Sequence, residues 1–354
     1  MNILVIGNGF DIAHGLKTSY SDFMEFIRTY RESGCVNEEL KEIISNNKWI
    51  DYFESIFEER KSEGRDGWID FESEMSSVVE ALDRALISYN SFVDNSYYRS
   101  RRAVEMDPSA FEILNGVLSI DAGKSYSREK SVYLMKLKEW KYLLLNDLNR
   151  LTRGLEIYLT SFLDDNEHAK LPIIESINPN YVISFNYTKT FERLYGNPTE
   201  IDYIHGVIKQ DSTIENNNMV LGIGEFLTDE RKDRDNEFIE FKKFYQRIYK
   251  STGSKYKEWL TDFEGIQTLQ AFNGPGQPYR ELNIYFYGHS LDPTDGDILR
   301  DLINCKYANI RIYYHNKNAL SKQIANLVRV IGEEKVIELT DRSEGRIEFV
   351  SCCE

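Results

Sequence analysis

Four short runs place chemically able side chains directly after strand-like segments. Asn2–Ile6 is apolar and runs into Gly7-Asn8-Gly9-Phe10-Asp11, a glycine-paired turn ahead of a helical stretch. Such a turn brings backbone N–H groups and a helix N-terminus against phosphates, which makes Gly7, Asn8, Gly9 and Phe10 candidate nucleotide contacts. Asp11 either caps the following helix or meets a ribose hydroxyl or an ordered water; a capping carboxylate would partly fill the phosphate site, which favours the second role. Tyr181–Phe185 ends in Asn186-Tyr187-Thr188, where the Asn186 amide can read a carboxamide or orient a water. Tyr203-Ile204 ends in His205-Gly206, and a histidine there can act as a general base near neutral pH. Of the five histidines, only His205 combines strand placement, a following glycine and nearness in sequence to Asn186. Tyr285–Tyr287 ends in Gly288-His289-Ser290-Leu291-Asp292, where Ser290 can donate to a phosphate and Asp292 and Asp295 can hold ribose hydroxyls or cap the next helix. Asp292, Asp295 and Asp297 also raise the thought of a divalent ion, but one loop of acids without a second cluster is weak support for a metal site.

The first turn departs from a dinucleotide dehydrogenase fingerprint. Ile12 stands where the third glycine belongs, and the acidic end of a second strand expected about 20 residues later is replaced by the amphipathic Ser21–Phe26. Hydride transfer is therefore disfavoured.

The elements that must position these residues follow from hydrophobic patterning. Strand-like runs occur at Asn2–Ile6, Tyr181–Phe185, Asp202–Ile204, Leu282–Tyr287, Ile310–Tyr314 and Ile347–Val350. Their apolar residues are nearly continuous, as in strands covered on both faces, so the fold class is α/β with a mostly parallel sheet. Residues 17–178 carry helical periodicity, including Met75, Val78, Val79, Leu82 and Leu86 and then Leu137, Leu144, Leu148, Leu151 and Leu155. This predicts a large helical insertion after the first strand, within one domain covering residues 1–354. The region 227–270 is predicted as a second helical segment, in which Asn236–Leu260 places Phe238, Phe241, Phe244, Tyr245, Ile248 and Tyr249 on one face. Ahead of that helix, Thr228–Glu237 reads as a solvated charge run. After it, Gly274-Pro275-Gly276-Gln277-Pro278 reads as a loop that borders a pocket or turns the chain.

Composition narrows the function classes. A net charge of −15 over 354 residues argues against general nucleic-acid binding. Cys35, Cys305, Cys352 and Cys353 have neither zinc-site nor disulfide-framework spacing, and no apolar run approaches a bilayer span. The expectation is a soluble, cytoplasmic protein with no membrane partner, no metal and reduced thiols.

Taken in order, the runs resemble the bacteriophage abortive infection AbiH family across nearly the whole chain. The resemblance is carried by Ile6–Leu16, Thr18–Tyr20 with Phe23, Trp68–Glu72, Ser184–Thr188, Ile204–Gly206, Phe241–Arg247 and Tyr287–Leu291. It implies an antiviral role. A more distant resemblance is to sirtuin-like NAD-consuming domains, which have a Gly-x-Gly turn, a strand ending in Asn-Tyr-Asp, a strand ending in His-Gly and a late glycine-serine turn. It implies a Rossmann-like sheet and NAD as substrate, with no cofactor required. Asn186 and His205 would be catalytic, and Gly7, Asn8, Gly9, Phe10, Asp11, Thr188, Gly206, Gly288, Ser290 and Asp292 would contact the nucleotide. Thr188 stands where that pattern has a carboxylate, and the Cys-x-x-Cys pairs of zinc-bearing deacylases are missing.

The resemblance thus implies an abortive-infection effector that cleaves NAD to nicotinamide and ADP-ribose. Two other readings remain open: a nucleotide-sensing or partner-binding module without turnover, favoured by Thr188, and a metal-dependent nuclease using Asp292–Asp297. Control of a toxic activity would involve a homo-oligomer or a phage-derived trigger, with the insertion around Trp68, Asp70 and Glu72 as a candidate lid or assembly surface.

Overall fold

The computed structural model describes residues 1–33, 37–62, 70–94, 104–120, 126–127, 130–163, 170–228, 230–272 and 281–352. In chain order its elements are β1 (Asn2–Ile6), α1 (Asn8–Ala13), α2 (Tyr20–Ser33), α3 (Glu38–Ser45), α4 (Lys48–Ser62), α5 (Phe71–Asp94), β2 (Val104–Glu105), α6 (Pro108–Leu118), β3 (Tyr126–Ser127), α7 (Lys130–Ser161) and α8 (Pro172–Ile177). They continue with β4 (Tyr181–Ser184), α9 (Thr190–Tyr195), β5 (Glu200–Tyr203), α10 (Lys243–Lys250), α11 (Tyr256–Phe272), β6 (Leu282–Tyr287), α12 (Gly296–Asn304), β7 (Ala308–Tyr314), α13 (Lys317–Ile331), α14 (Glu333–Leu339) and β8 (Ile347–Ser351).

Six strands form one sheet in the order β5-β4-β1-β6-β7-β8, every pair parallel. All six are the runs read from the sequence, with ends shifted by at most two residues. With the short antiparallel pair β2–β3 set aside, the order is the Rossmann 3-2-1-4-5-6. Alternation along β1 explains the layering. Ile3 and Val5 join one buried cluster with Ile284, Phe286, Trp259 and Leu299, while Leu4 and Ile6 join another with Phe10, Ile174 and Phe191. Both faces are thus covered, as near-continuous apolar strands require.

Residues between β1 and β4 build a third core of their own. Phe23, Trp49, Phe53, Phe71, Leu144 and Leu151 pack there, and Phe53 stacks on Phe71 with ring centroids 4.0 Å apart. Met219, Leu221, Ile223 and Phe241 from the segment after β5 complete this cluster, so the insertion is anchored to the sheet's own loop.

The second helical segment differs from its sequence reading. Residues 230–234 form turns, Ile239–Phe241 a single 3-10 turn, and α10 stops at Ser251, which adopts the left-handed region at φ 53° before α11 begins. The inward face of α10 is the polar one. Lys243, Gln246 and Arg247 are buried, whereas Ile248 and Tyr249 are 75% and 77% exposed. Ion pairs and backbone carbonyls make this inversion tolerable: the Gln246 side chain donates to the carbonyls of Leu221 and Glu240 and accepts from the Leu221 N–H. The preceding charge run is likewise not merely solvated, because Arg231 makes a bidentate pair with Asp83 at 2.7 and 2.8 Å. Trp68, the Gly274–Pro278 loop, Cys35 and Cys353 lie outside the described residues.

Candidate functional site

Register sets the site. Ile6 pairs with Ser184 and with Tyr287, and Ser184 pairs with Tyr203, so four strands end in one row. The residues just beyond that row are the four runs singled out by type: Gly7, Asn186, His205 and Gly288. In Rossmann-like sheets a ligand crevice opens beyond the carboxyl ends where strand order reverses, here between β1 and β6.

The glycine turn closes tightly on that crevice. The Gly7 N–H donates to the Tyr287 carbonyl (3.2 Å) and the Gly9 N–H to the Gly288 carbonyl (2.9 Å). A Cβ at Gly9 would meet the Gly288 Cα at 2.8 Å, and Gly288 itself sits at φ +66° with no room for a side chain beside the Phe10 nitrogen. These glycines therefore serve a turn-on-turn contact between β1 and β6, and two of their N–H groups are committed to it.

A cavity of about 430 Å³ lies over the row. Gly7, Asn8, Gly9, Asp11, Asn186, Thr188, His205, Gly288, Ser290 and Asp292 all line it. Two sequence candidates do not. Phe10 is buried beneath the turn against His14, Phe191 and Tyr195, and Gly206 (φ +74°) packs where a Cβ would strike the Asn218 carbonyl at 2.1 Å. The insertion contributes Tyr20, Asp70 and Glu72 to the cavity wall, and α10 contributes Lys243.

Asp11 is not a helix cap. It lies inside α1, is 1% exposed, and accepts a 2.5 Å hydrogen bond from the Thr188 hydroxyl, which in turn accepts from Thr190 at 3.0 Å. Burial pushes its carboxyl up to about 6; Thr188, Thr190, the nearby Asn186 amide and Arg193 pull the other way. A carboxylate thus stands beside Thr188, delivered by α1 instead of by the strand that carries Asn186. Asn186 is 5% exposed; its amide lies close enough to Asp11 to help lower that carboxyl's pKa, but neither its Oδ1 nor its Nδ2 reaches a partner at hydrogen-bond geometry. A buried amide with both ends unsatisfied is costly unless a ligand or water completes it.

His205 is held by a chain of buried charges. Its Nε2 lies 2.9 Å from Asp295 Oδ1, and Lys243 Nζ donates to the same oxygen at 3.0 Å. Lys243, 2% exposed, also pairs with Glu72 at 2.6 Å and donates to Thr294 Oγ1 at 3.1 Å, while Thr294 donates to Glu72 at 2.7 Å. A carboxylate only accepts, so Nε2 carries the ring proton and Nδ1 is left basic. Burial lowers the His205 pKa, so the ring is neutral near pH 7; Asp295 opposes this shift and Lys243 adds to it. Asp295 is held far below the ordinary carboxylate range by Lys243 and His205, which outweigh its own burial. Burial pushes Glu72 up to about 7 despite Lys243. This arrangement, cation to carboxylate to imidazole, fixes the tautomer and orientation of the ring as the acid of a hydrolytic triad does for its histidine.

Sequence reasoning named His205 but missed its support. Lys243 was not singled out for the site, and Asp295 was read as a ribose contact, a cap or one of three weak metal candidates. The available signal was the polar stripe Lys243, Gln246, Arg247 and Lys250, which has the same helical spacing as the apolar one. Of the acids proposed for a metal, Asp292 accepts from the Thr294 N–H, Asp295 holds His205 and Asp297 pairs with Arg247. Among the described residues no group of three or more His, Cys, Asp or Glu is arranged to hold a metal ion, and no helix is long and apolar enough to cross a membrane.

Sheet order and the cavity at the strand ends define an α/β protein of Rossmann-like class with a cavity at its switch point. The profile of the bacteriophage abortive infection AbiH family matches residues 3–315, and the chain belongs to that family, which places its role in phage abortive infection. No curated protein and no solved structure matches it.

Proposed function

We propose that the protein acts in abortive infection as an NAD glycohydrolase, releasing nicotinamide and ADP-ribose. The observation that carries this reading is the unsatisfied Asn186 carboxamide in the same cavity as Asp11 and the oriented His205. An amide with free donor and acceptor complements another carboxamide, such as that of nicotinamide. The lining includes Asp11, Asp70, Glu72, Asp292 and Asp295, an acidic set suited to a cationic nicotinamide and to the oxocarbenium-like charge that develops as it leaves. In the step itself the ribose C1′–N bond breaks with its electron pair passing to nicotinamide. Water adds to C1′, and His205 Nδ1 takes the proton that the water loses.

Thr188, which departs from the sirtuin-like pattern, is compatible with this reading because Asp11 brings a carboxylate to the Thr188 hydroxyl. The test is nicotinamide release from NAD by purified protein. His205→Ala and Asn186→Ala are expected to slow release by at least about 100-fold, the lower range for loss of a general base. Undiminished release by His205→Ala sinks the mechanism. Saturable NAD binding with no release, unchanged in His205→Ala, selects a sensing module instead.

A further inference from the structure

Beyond the ends of β6 and β7 lies a second cavity, of about 630 Å³, a size typical of small-molecule sites. It shares seven lining residues with the first cavity, among them Gly9, Ile12, Gly288, His315 and Lys322, so the two are neighbours along one crevice. Much of its wall is apolar, from Ile12, Ala13, Tyr287, Tyr313 and Ala319. Gln323 of α13 interrupts that wall. It is 5% exposed, and its Nε2 donates to the carbonyls of His289 (3.0 Å) and Tyr313 (3.1 Å). Those two bonds fix which end of the amide is which. Its Oε1 is buried without a partner.

A clamped amide oxygen in an apolar wall is satisfied by a ligand that is mostly apolar and brings an N–H. An aromatic base with an exocyclic amine has that chemistry: flat faces for the tyrosine and aliphatic wall, and an edge donor for Gln323. At the shared wall, Lys322 and His315 bring nitrogen donors suited to phosphate oxygens. We propose that this cavity is a subsite for the amino-bearing base of a nucleotide, so that a dinucleotide spans both cavities with its phosphates at the shared wall. The spanning part rests on the NAD reading above; the base subsite does not.

The experiment is calorimetric titration of the full chain with 5′-AMP and with 5′-IMP, which replaces the exocyclic amine by a carbonyl oxygen. AMP is expected to bind at least about tenfold more tightly, a difference of about 1.4 kcal/mol. Gln323→Met should remove the preference. Because that change also frees two backbone carbonyls, Ala319→Phe serves as the second variant: it fills the cavity from the first turn of α13 and should abolish AMP binding. Asn186→Ala, in the other cavity, should leave AMP binding unchanged. Equal affinity for AMP and IMP, no saturable AMP binding in the millimolar range, or AMP binding lost in Asn186→Ala yet kept in Ala319→Phe would each overturn the subsite. AMP-selective binding by a protein that releases no nicotinamide would leave the subsite standing and remove the NAD reading alone.

Discussion

Replacing Asp11 by Asn should make the protein more stable and less active, and the stability gain should depend on pH. Asp11 is fully enclosed; Oδ2 has Thr188 as its partner, while Oδ1 has none. Its carboxyl rises from an ordinary 3.8 to about 6, mainly through burial. At about 1.4 kcal/mol per pH unit, keeping this group charged in the fold costs about 3 kcal/mol at neutral pH. Asparagine has the same shape and still accepts from Thr188, and the charge assistance its hydrogen bond loses is already contained in the shifted pKa. The expectation is therefore a gain of about 3 kcal/mol. The sign with pH follows from a folded pKa above the unfolded one. Below about pH 4 both states are protonated and the two proteins should be equally stable. Between about pH 4 and 6 the wild type falls behind, and above pH 6 the difference is constant. Urea unfolding followed by tryptophan fluorescence at pH 4, 5, 6 and 7.5 measures it. A variant less stable than wild type at pH 7.5, or a gain that persists unchanged at pH 4, would refute the assignment of a strained buried carboxylate.

Burial pushes the His289 imidazole down to about 4, and its Nδ1 accepts from the Leu291 N–H. Stability from this group is therefore complete above about pH 6.5 and lost as pH falls towards 4, by up to about 3 kcal/mol; His289→Asn, which keeps an acceptor, should shift the acid-unfolding midpoint to lower pH. Lys243→Met leaves Asp295 and Glu72 buried without their cation and should cost about 3–5 kcal/mol in urea unfolding, with Glu72→Gln recovering part of the loss; a cost below about 1 kcal/mol would mean the network is solvated. Gly288→Ala places a methyl 2.1 Å from the Phe10 nitrogen at φ +66°, and its soluble yield on expression should collapse, whereas Gly265→Ala, inside α11 with open space around it, should express normally.

The sheet was legible because its strands are short runs of β-branched and aromatic residues with no competing helical period, and Leu282–Tyr287 was placed to the residue. The site was legible to the extent that it sits at strand ends, where side-chain type alone marks Asn186 and His205. What escaped was everything approaching from the side. In α10, Phe244, Ile248 and Tyr249 make a convincing inward face by hydropathy, yet the fold buries Lys243, Gln246 and Arg247. Hydropathy cannot anticipate that Glu72, 171 positions earlier, and Asp295, 52 positions later, will meet Lys243 and offset its desolvation. Gln323 was invisible for the same reason, since its importance lies in carbonyls of β7 and of the turn after β6.

Asp11 and Thr188 show how a linear pattern and a spatial one can part. Read along the strand, Thr188 is a lost carboxylate; read across the cavity, Asp11 is 2.5 Å from its hydroxyl. If the site needs one carboxylate there and is indifferent to the element supplying it, the two positions should be exchangeable. Thr188→Asp alone would set two buried carboxylates side by side, where like charges oppose joint ionisation, and should lower both stability and turnover. Asp11→Thr alone removes the carboxylate and should also lower turnover. The double variant, Asp11→Thr with Thr188→Asp, restores one carboxylate and one hydroxyl in contact, so it should exceed both single variants in nicotinamide release. Double-variant activity at or below that of Asp11→Thr would show that the carboxylate must come from α1, and the likeness to the Asn-Tyr-Asp strand end would then have no chemical content.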